Sequence, residues 1–230
     1  MNQIRVELQE HMGDDRSIAA AAWTSSLDYE KKQTRTDADV ERVVKMLADH
    51  GHATPFESVV LKFWIRMPIA TDRQHMTHRI GSHNGMSGRY RTMPTEFLDI
   101  PQDILDITNA MPGINGQYLN YSYRHICDTA NQTYKQVMLD LKIAKDAGNI
   151  NNDQYKRMRE FMRGMLPQHN MTERVTVFNL RSFANYQRLR NSPHAQPEIR
   201  QVAQLMLEQV AVKNVSPIAI KCLQNKGWVL

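Results

Sequence analysis

The sequence predicts an α+β fold, a single domain covering residues 1–230 in which a small mixed or antiparallel sheet packs with long helices. Three observations lead to this class. Apolar and polar residues alternate from Glu57 to Met67, a period of two that is typical of a strand. Helical periodicity dominates the segment Gly116–Ala147, and no linker or internal repeat divides the chain. A chain of 230 residues is also long enough to bury a substantial core.

The N-terminal region predicts a strand followed by a helix. The strand rests on the alternation of three apolar residues with polar ones: Ile4, Val6 and Leu8. Gly13-Asp14-Asp15 predicts a turn, and we expect Asp15 to cap a helix that runs through Ser17–Thr24.

A second, amphipathic helix is predicted after the polar stretch Ser25–Arg35, which we interpret as a loop. Thr36 is expected to cap this helix, and His50-Gly51 to end it with a C-terminal glycine. Its apolar face consists of Val40, Val43, Val44 and Leu47. His52–Phe56 then predicts a loop that leads into the long strand Glu57–Met67.

The middle of the chain predicts a helix and then irregular structure. Pro68 suits the first turn of a helix that would run to about His78. Three glycines predict a loop over Ile80–Gly88, and three prolines keep the following region irregular: Pro94, Pro101 and Pro112.

The C-terminal half predicts mainly helices. The long helix Gly116–Ala147 is followed by one that begins at Asn151 or Asn152 and reaches Met165. Val175, Val177 and Asn179 alternate as in a strand. Two further helices are predicted at Leu180–Arg190 and Pro197–Val212, and the apolar tail from Val215 is expected to dock on the body.

The composition limits the class of protein. The net charge of +5 favours anionic partners, but basic residues form no tract and no aromatic residues interleave with them, which argues against a nucleic-acid binder. Two cysteines cannot build a disulfide framework or a four-cysteine metal site. No signal peptide and no run of 18 apolar residues is present, so we expect a cytoplasmic protein with no membrane segment, in the host cytoplasm if the source is viral.

Familiar cofactor motifs are absent. The sequence contains no phosphate loop, no dinucleotide-binding GxGxxG and no HExxH. His75 and His78 are three residues apart and are expected to share a helix face, but no carboxylate or cysteine lies in register with them. We therefore predict no metal site.

The segment Arg73–Tyr90 carries an unusual density of hydrogen-bond donors. Arginine offers a planar fork that matches phosphate. Ser87-Gly88-Arg89 combines a hydroxyl, an unhindered backbone and a guanidinium within three residues, which suits a phosphate cradle. The alternative is a solvated basic face.

These residues resemble the signature of the flavin-dependent thymidylate synthases, His-Arg followed by seven residues and Ser. The chain has Thr77-His78-Arg79, seven residues, and Ser87. The resemblance continues in the correct order over nearly the whole chain: GDDRSIAAAAWTSS near the start, HGHATPFE at His50–Glu57, SGRY at Ser87–Tyr90, and FNLRSFANYQRLRNSPHAQPEI at Phe178–Ile199.

The resemblance implies a fold, an activity and a set of partners. Members of the family are homotetramers with active sites shared between subunits, and they make dTMP from dUMP. Methylenetetrahydrofolate supplies the carbon, reduced FAD supplies the hydride, and NADPH reduces the FAD. The family uses no cysteine nucleophile, so Cys127 and Cys222 are expected to be packing residues.

The resemblance also implies roles for individual residues. FAD contacts are expected from Ser25, His52, Thr54, Thr77, His78, Arg79, Asn179, Arg181 and Asn185. Contacts with dUMP are expected from Gln74, Gly85, Met86, Ser87, Gly88, Arg89, Arg163 and Arg190. Catalytic roles fall to His52, where the family meets the flavin, and to Arg190, whose cation would favour ionisation of the uracil ring at N3.

The spacing of two of these residues predicts how they point. Arg181 and Arg190 are nine residues apart on the predicted helix, about half a turn in orientation, so we expect them to face different sides.

Three positions depart from the family pattern. Thr77 stands where the signature has its first arginine, His75 replaces a large aromatic residue, and Gly85 replaces a glutamate. The departures leave two alternatives open: a related flavin- and folate-dependent hydroxymethylase acting on dUMP or dCMP, and a catalytically reduced homologue that binds nucleic acid.

Overall fold

The computed structural model describes residues 4–227 and divides the chain into two compact units. The first consists of the described parts of Met1–Met67, Thr71–Gly85 and Glu173–Leu230. The second consists of Pro68–Ala70 and Met86–Thr172. Each unit is described by itself below, and the assignment of the whole chain to a single domain stays a prediction.

Four strands form one sheet, in the order β1-β2-β4-β3. The strands are β1 (Arg5–Met12), β2 (Val60–Pro68), β3 (Ser82–Gly85) and β4 (Met171–Asn179). β1 pairs antiparallel with β2, and β3 pairs antiparallel with β4. Together with the helices, this sheet confirms the predicted α+β class with a small antiparallel sheet.

Helices make up most of the rest of the described chain. In chain order they are α1 (Asp15–Trp23), α2 (Tyr29–Gln33), α3 (Asp37–Asp49), α4 (Ile69–His75), α5 (Gln102–Ala110), α6 (Gly116–Asp146), α7 (Asn152–Met162), α8 (Leu180–Arg190), α9 (Pro197–Val212) and α10 (Pro217–Asn225). Two 3-10 helices occupy Thr54–Ser58 and Arg163–Met165.

The core of the first unit lies on one face of β2, as the alternation in the sequence predicts. Every second side chain is fully buried: Val59, Leu61, Phe63, Ile65 and Met67. The ring of Phe63 stacks on that of Phe183 from α8, with 5.8 Å between centroids. The sheet therefore fixes α8, which carries several of the predicted site residues.

The cap of α1 is Asp14, which corrects the prediction of Asp15. The Asp14 side chain accepts a hydrogen bond from the backbone N–H of Ser17 at 2.8 Å, and a full capping box forms. Asp15 is instead the first helical residue and is buried. Its carboxylate accepts hydrogen bonds from the backbone N–H groups of Ile218 (3.0 Å) and Ala219 (2.9 Å), so it caps α10, about two hundred residues further along the chain.

The structure corrects two boundaries near the start of the polar segment. Pro68 ends β2 instead of starting a helix, and α4 ends at His75 instead of His78. As a consequence His78 lies in the turn after α4 and does not share a helix face with His75. The predicted loop Ile80–Gly88 contains β3, which among residues 4–227 pairs only with the distant β4. Local periodicity cannot reveal such a pairing.

Three regions predicted to be irregular contain short helices. α2 forms within Ser25–Arg35, a 3-10 helix begins at Thr54, and α5 follows Pro101. Proline is favourable next to a helix N-terminus because it needs no N–H partner there, so Pro101 begins a helix where it was expected to prevent one.

The second unit contains α5, α6 and α7. Its core is a cluster of four buried residues: Tyr134, Met138, Leu141 and Leu166. Several partly buried methionines pack against that cluster, as expected for a flexible side chain that fills irregular gaps. Over the described range, no helix is both long enough and apolar enough to cross a membrane.

Candidate functional site

A cleft of about 720 Å³ opens in the first unit beside α8. Its size falls within the roughly 300–1,000 Å³ typical of small-molecule sites. The walls come from α8, from the turn after α4 and from the first 3-10 helix. The lining residues are Glu57, Thr77, His78, Arg79, Ile80, Arg181, Ser182, Asn185, Leu189 and Arg190. Six of these ten were predicted site residues, so the structure brings together most of the positions expected to meet FAD, with Arg190 among them.

Helix α8 supplies half of the lining residues, and a side-chain cap fixes the point at which the helix begins. Asn179 caps the helix, its side-chain oxygen accepting hydrogen bonds from the N–H and hydroxyl of Ser182 at 2.8 Å each. Asn179 does not line the cleft in this arrangement. Leu180, Phe183 and Tyr186 of α8 are buried in the core. Ser182, Asn185 and Leu189 of the same helix line the cleft.

Arg181 and Arg190 lie half a turn apart on α8, as expected, yet both line this cleft. Asn185 and Leu189 lie near the middle of the exposed face of α8, and the two arginines flank that face on either side. Their long side chains therefore reach the same space from opposite edges and opposite ends of the helix.

The cleft is electropositive. Arg79, Arg181 and Arg190 contribute three cations, and Glu57 is the one carboxylate among the lining residues. Glu57 pairs with Arg181 at 2.7 Å, and this pair is exposed to solvent. Arg79 makes no hydrogen bond or ion pair with any other described residue, so its guanidinium is available to a ligand.

Arg190 is held by the end of α4 and by the turn that follows it. Its Nε donates to Nε2 of His78 at 2.8 Å, and its Nη2 donates to the hydroxyl of Thr77 at 2.8 Å and to the carbonyl of Gln74 at 3.4 Å. Because His78 accepts from a permanent cation, its ring must be neutral. Partial burial and the neighbouring Arg190 lower the pKa of His78 to about 4. Thr77, where the family has arginine, thus serves as an acceptor for another arginine.

His75 lies beneath the cleft and does not line it. The residue is fully buried, and its two ring nitrogens lie 2.9 Å from the hydroxyls of Tyr186 and Thr176. Burial lowers the pKa of His75 well below its ordinary value. The histidine therefore fits the apolar position that the family fills with an aromatic ring, because both of its polar atoms are satisfied.

A buried ion pair, Asp72 with Arg174, was missed by the sequence reasoning. Arg174 donates to both carboxylate oxygens of Asp72, through Nε and, at 2.7 Å, through Nη2. A Cβ built on Gly85 would lie 2.9 Å from Nη2 of Arg174. This contact gives a physical reason for glycine at position 85. No signal in the sequence marked this pair, because Asp72 lies between Thr71 and Arg73, and Arg174 lies between Glu173 and Val175.

Ser25, His52 and Thr54 line a second, smaller cleft of about 360 Å³ in the same unit. Trp23 and Leu47 supply apolar surface there. The first 3-10 helix contributes to both clefts, because its start lines the smaller one and Glu57 lines the larger one. The structure therefore does not place His52 in one cleft with Arg190.

Five predicted dUMP contacts lie in the second unit: Met86, Ser87, Gly88, Arg89 and Arg163. Gly88 is buried, and a Cβ there would lie 3.1 Å from Cδ of Arg163, so the arginine stem packs on the glycine. Arg89 pairs with Glu160 at 2.6 Å, and its backbone N–H donates to the hydroxyl of Ser87 at 3.3 Å. Within this unit the serine, glycine and two arginines are near neighbours, as a phosphate cradle requires.

The remaining predicted contacts belong to the first unit. The amide of Gln74 donates to the side chain of Gln196, while its backbone carbonyl supports Arg190. Gly85 lies at the end of β3. Cys127 and Cys222 are free thiols whose pKa is raised by burial, and neither lines the larger cleft.

The donor set of the larger cleft fits FAD. A dinucleotide needs cations for its diphosphate and hydrogen-bond donors for its ribose and ring atoms, and the cleft offers three arginines with Thr77, Ser182 and Asn185. Among residues 4–227, no group of three or more histidine, cysteine, aspartate or glutamate side chains is arranged to hold a metal ion.

Comparison with known proteins gives a consistent result. Residues 7–218 match the family model described as thymidylate synthase complementing protein. A flavin-dependent thymidylate synthase from Kosmotoga olearia is 35% identical over 233 aligned positions, covering 97% of this chain and 91% of the relative. Another from Thermotoga neapolitana is 34% identical over 198 residues, covering 86% and 81%.

A solved structure shares the fold. It is that of a UMP/dUMP methylase, PolB from Streptomyces cacaoi, bound with 5-Br dUMP. The two chains superpose with a TM-score of 0.71 at 24% sequence identity, and the match covers 98% of this chain and 97% of the other.

Proposed function

The chain belongs to the flavin-dependent thymidylate synthase family, and from that membership we propose that it is an enzyme that methylates dUMP to dTMP. The carbon comes from methylenetetrahydrofolate, the hydride from reduced FAD, and the reducing equivalents from NADPH. The observation that carries the proposal is the electropositive cleft beside α8, which collects six of the predicted site residues. The structural likeness to a UMP/dUMP methylase adds support for a uracil nucleotide as substrate.

In this proposal the cleft residues hold the flavin and the pyrimidine. Arg79 and Arg181 neutralise the FAD diphosphate, and Asn185 and Ser182 supply hydrogen bonds to its polar atoms. The flavin supplies the redox chemistry when it is bound. His52, Ser25 and Thr54 meet the flavin from the smaller cleft.

The substrate contacts are proposed for each unit by itself. In the second unit, Ser87, Gly88, Arg89 and Arg163 bind the phosphate of dUMP, and Met86 is a further contact. In the first unit, Gln74 and Gly85 are proposed contacts of the nucleoside. Arg190 meets the uracil ring, where its fixed cation favours the N3-ionised form and makes C5 more nucleophilic. Three of its five N–H groups are already engaged by the end of α4 and the turn that follows it, which leaves Nη1 available within the described structure.

We also propose a homotetramer with active sites shared between subunits. Support comes from the second unit, where α6 exposes several large apolar side chains, among them Tyr118, Tyr121, Ile126 and Ile143. Exposed apolar surface of this kind marks contacts between proteins.

A single reaction tests the function. The purified protein is incubated with dUMP or dCMP, methylenetetrahydrofolate, FAD and NADPH, and the nucleotide product is weighed by mass spectrometry. We expect dTMP from dUMP. A hydroxymethylated nucleotide, or turnover of dCMP alone, would instead establish the hydroxymethylase alternative, and a protein that takes up no FAD and binds DNA would contradict both.

The role of Arg190 is tested in the same assay with Arg190→Lys. Lysine keeps the charge but cannot reproduce the planar fork. We expect turnover to fall about 100-fold or more, the usual effect of losing a fixed donor at a developing anion. Lys213→Ala is the matched control, because Lys213 is an exposed cation of the same unit outside both clefts.

A further inference from the structure

A line of hydrogen bonds connects buried Tyr186 with His78, a residue that lines the larger cleft. The hydroxyl of Tyr186 lies 2.9 Å from Nδ1 of His75, and Nε2 of His75 lies 2.9 Å from the hydroxyl of Thr176. The same Thr176 hydroxyl lies 3.2 Å from Nδ1 of His83. Nε2 of His83 lies 2.9 Å from the backbone carbonyl oxygen of His78. Four bonds thus join α8, α4, β4, β3 and the turn after α4.

With the ring of His83 neutral, the chemistry of the groups fixes the direction of every bond. A carbonyl oxygen can only accept, so Nε2 of His83 carries the proton and its Nδ1 accepts from Thr176. The Thr176 oxygen then accepts from Nε2–H of His75, and Nδ1 of His75 accepts from Tyr186. Burial lowers the pKa of His75 and raises that of the Tyr186 hydroxyl, which agrees with a neutral ring and a protonated phenol.

His78 is bonded at two places, at its main chain by His83 and at its ring by Arg190. The carbonyl of His78 accepts from His83, and Nε2 of the same residue accepts from Nε of Arg190 at 2.8 Å. The ring of His78 also lies edge-to-face against the ring of Tyr186, with 4.7 Å between centroids. Because Nε2 accepts, the proton of neutral His78 is on Nδ1. Arg190 is therefore bound to a residue whose main chain and ring are both held.

We propose that His75 and His83 are positioning residues, which hold the turn at His78 and through it orient the guanidinium of Arg190 toward the substrate. The proposal rests on the proposed function for the part played by Arg190. Arginine is flexible, and a fixed acceptor at Nε selects one orientation of its fork before the substrate arrives. Without the bond from His83, the main chain at His78 loses its hydrogen bond to β3.

The first experiment measures which ring nitrogen carries the proton and needs no catalytic activity. Histidines of the whole protein are labelled with ¹⁵N, and the tautomers are assigned from long-range proton–nitrogen spectra using single His→Gln variants. We expect His75 and His83 in the Nε2–H form and His78 in the Nδ1–H form at neutral pH. An Nδ1–H tautomer at His83, or a charged His75, would overturn the proposal.

The second experiment asks whether His83 acts through Arg190. Turnover of dUMP is measured for His83→Phe, for Arg190→Lys and for the double variant. If His83 positions Arg190, His83→Phe lowers kcat 10- to 100-fold, in the range of a misplaced group, and it has little further effect once Arg190 is lysine. Independent, multiplying effects would mean that His83 acts elsewhere.

Two further variants separate positioning from general structural damage. His83→Gln retains an N–H group that can reach the His78 carbonyl, so it should recover most of the kcat lost in His83→Phe. His11→Phe, at an exposed histidine of β1 that lines neither cleft, should leave kcat unchanged. If the unsubstituted protein forms no dTMP, the proposed function fails, while the tautomer measurement still decides whether the hydrogen-bond line exists.

Discussion

At the scale of single residues, the three departures from the family pattern have physical explanations. His75 is buried with both nitrogens bonded, and Thr77 accepts a hydrogen bond from Arg190. Gly85 lies against the guanidinium of Arg174, where a side chain would collide. The sequence could predict that these positions differ, but it could not predict the partners, because those partners lie about 100 residues further along the chain.

The neutral state of His78 leads to a prediction about pH. Its pKa is lowered from 6.5 to about 4 in the folded protein, so in this range the unfolded chain binds a proton that the folded chain does not. Stability should therefore fall as the pH drops from about 6.5 to about 4, with no further loss from this group below that. Urea unfolding across the range should give a smaller pH slope for His78→Gln than for the unsubstituted protein. Equal slopes would contradict the assignment.

The buried pair of Asp72 and Arg174 leads to a prediction about stability. Asp72→Asn leaves the guanidinium buried without its counter-charge, which costs about 3–5 kcal/mol in the free energy of unfolding. Replacing both partners with Asp72→Leu and Arg174→Met should recover much of this loss. The exposed pair of Lys31 and Asp28 provides the control, since Asp28→Asn should cost less than about 1 kcal/mol. A similar small loss at Asp72 would mean that solvent reaches the pair.

At the scale of elements, helices defined by interactions between residues close in sequence were predicted correctly. The strand defined by pairing with a distant segment was not. α8 and α9 have the predicted bounds, Leu180–Arg190 and Pro197–Val212, because amphipathic periodicity and local breakers define them. β3 was missed because its four residues form a strand only by pairing with β4. The same reason explains the candidate site: the residue types could be predicted, whereas their division between two clefts and the second unit depends on tertiary structure.

The two neighbouring caps at the start of α1 can be told apart by substitution. Asp15→Ala removes a carboxylate that accepts from two backbone N–H groups of α10, and hydrogen bonds to charged groups contribute about 1.5–3 kcal/mol. Asp14→Ala removes an exposed N-cap, typically about 1 kcal/mol. Denaturant unfolding should rank Asp15→Ala as the more destabilising change, with Asp15→Asn between the two. The reverse order would show that the contact with α10 contributes little.

At the scale of the whole molecule, the apolar surface of α6 predicts how the protein behaves in solution. Tyr118 is 70% exposed and Tyr121 is 67% exposed within the described chain, an unfavourable state for a helix in water. Sedimentation velocity of the purified protein should give a tetramer. Ile143→Glu should shift the distribution to smaller species, while Lys142→Glu, a polar neighbour on the same helix, serves as the control. A monomer at micromolar concentration would leave the shared active sites without support.

The bond between Asp15 and α10 also has a consequence for biosynthesis. The ribosome adds about 5–20 residues per second, so Asp15 leaves it roughly ten seconds or more before Ile218 and Ala219 are made. The second unit is nearly continuous in sequence, whereas the first needs segments from both halves of the chain. During translation the apolar faces of the N-terminal segments therefore stay exposed until the C-terminal segments have been made. Chaperones are expected to bind the chain in this period.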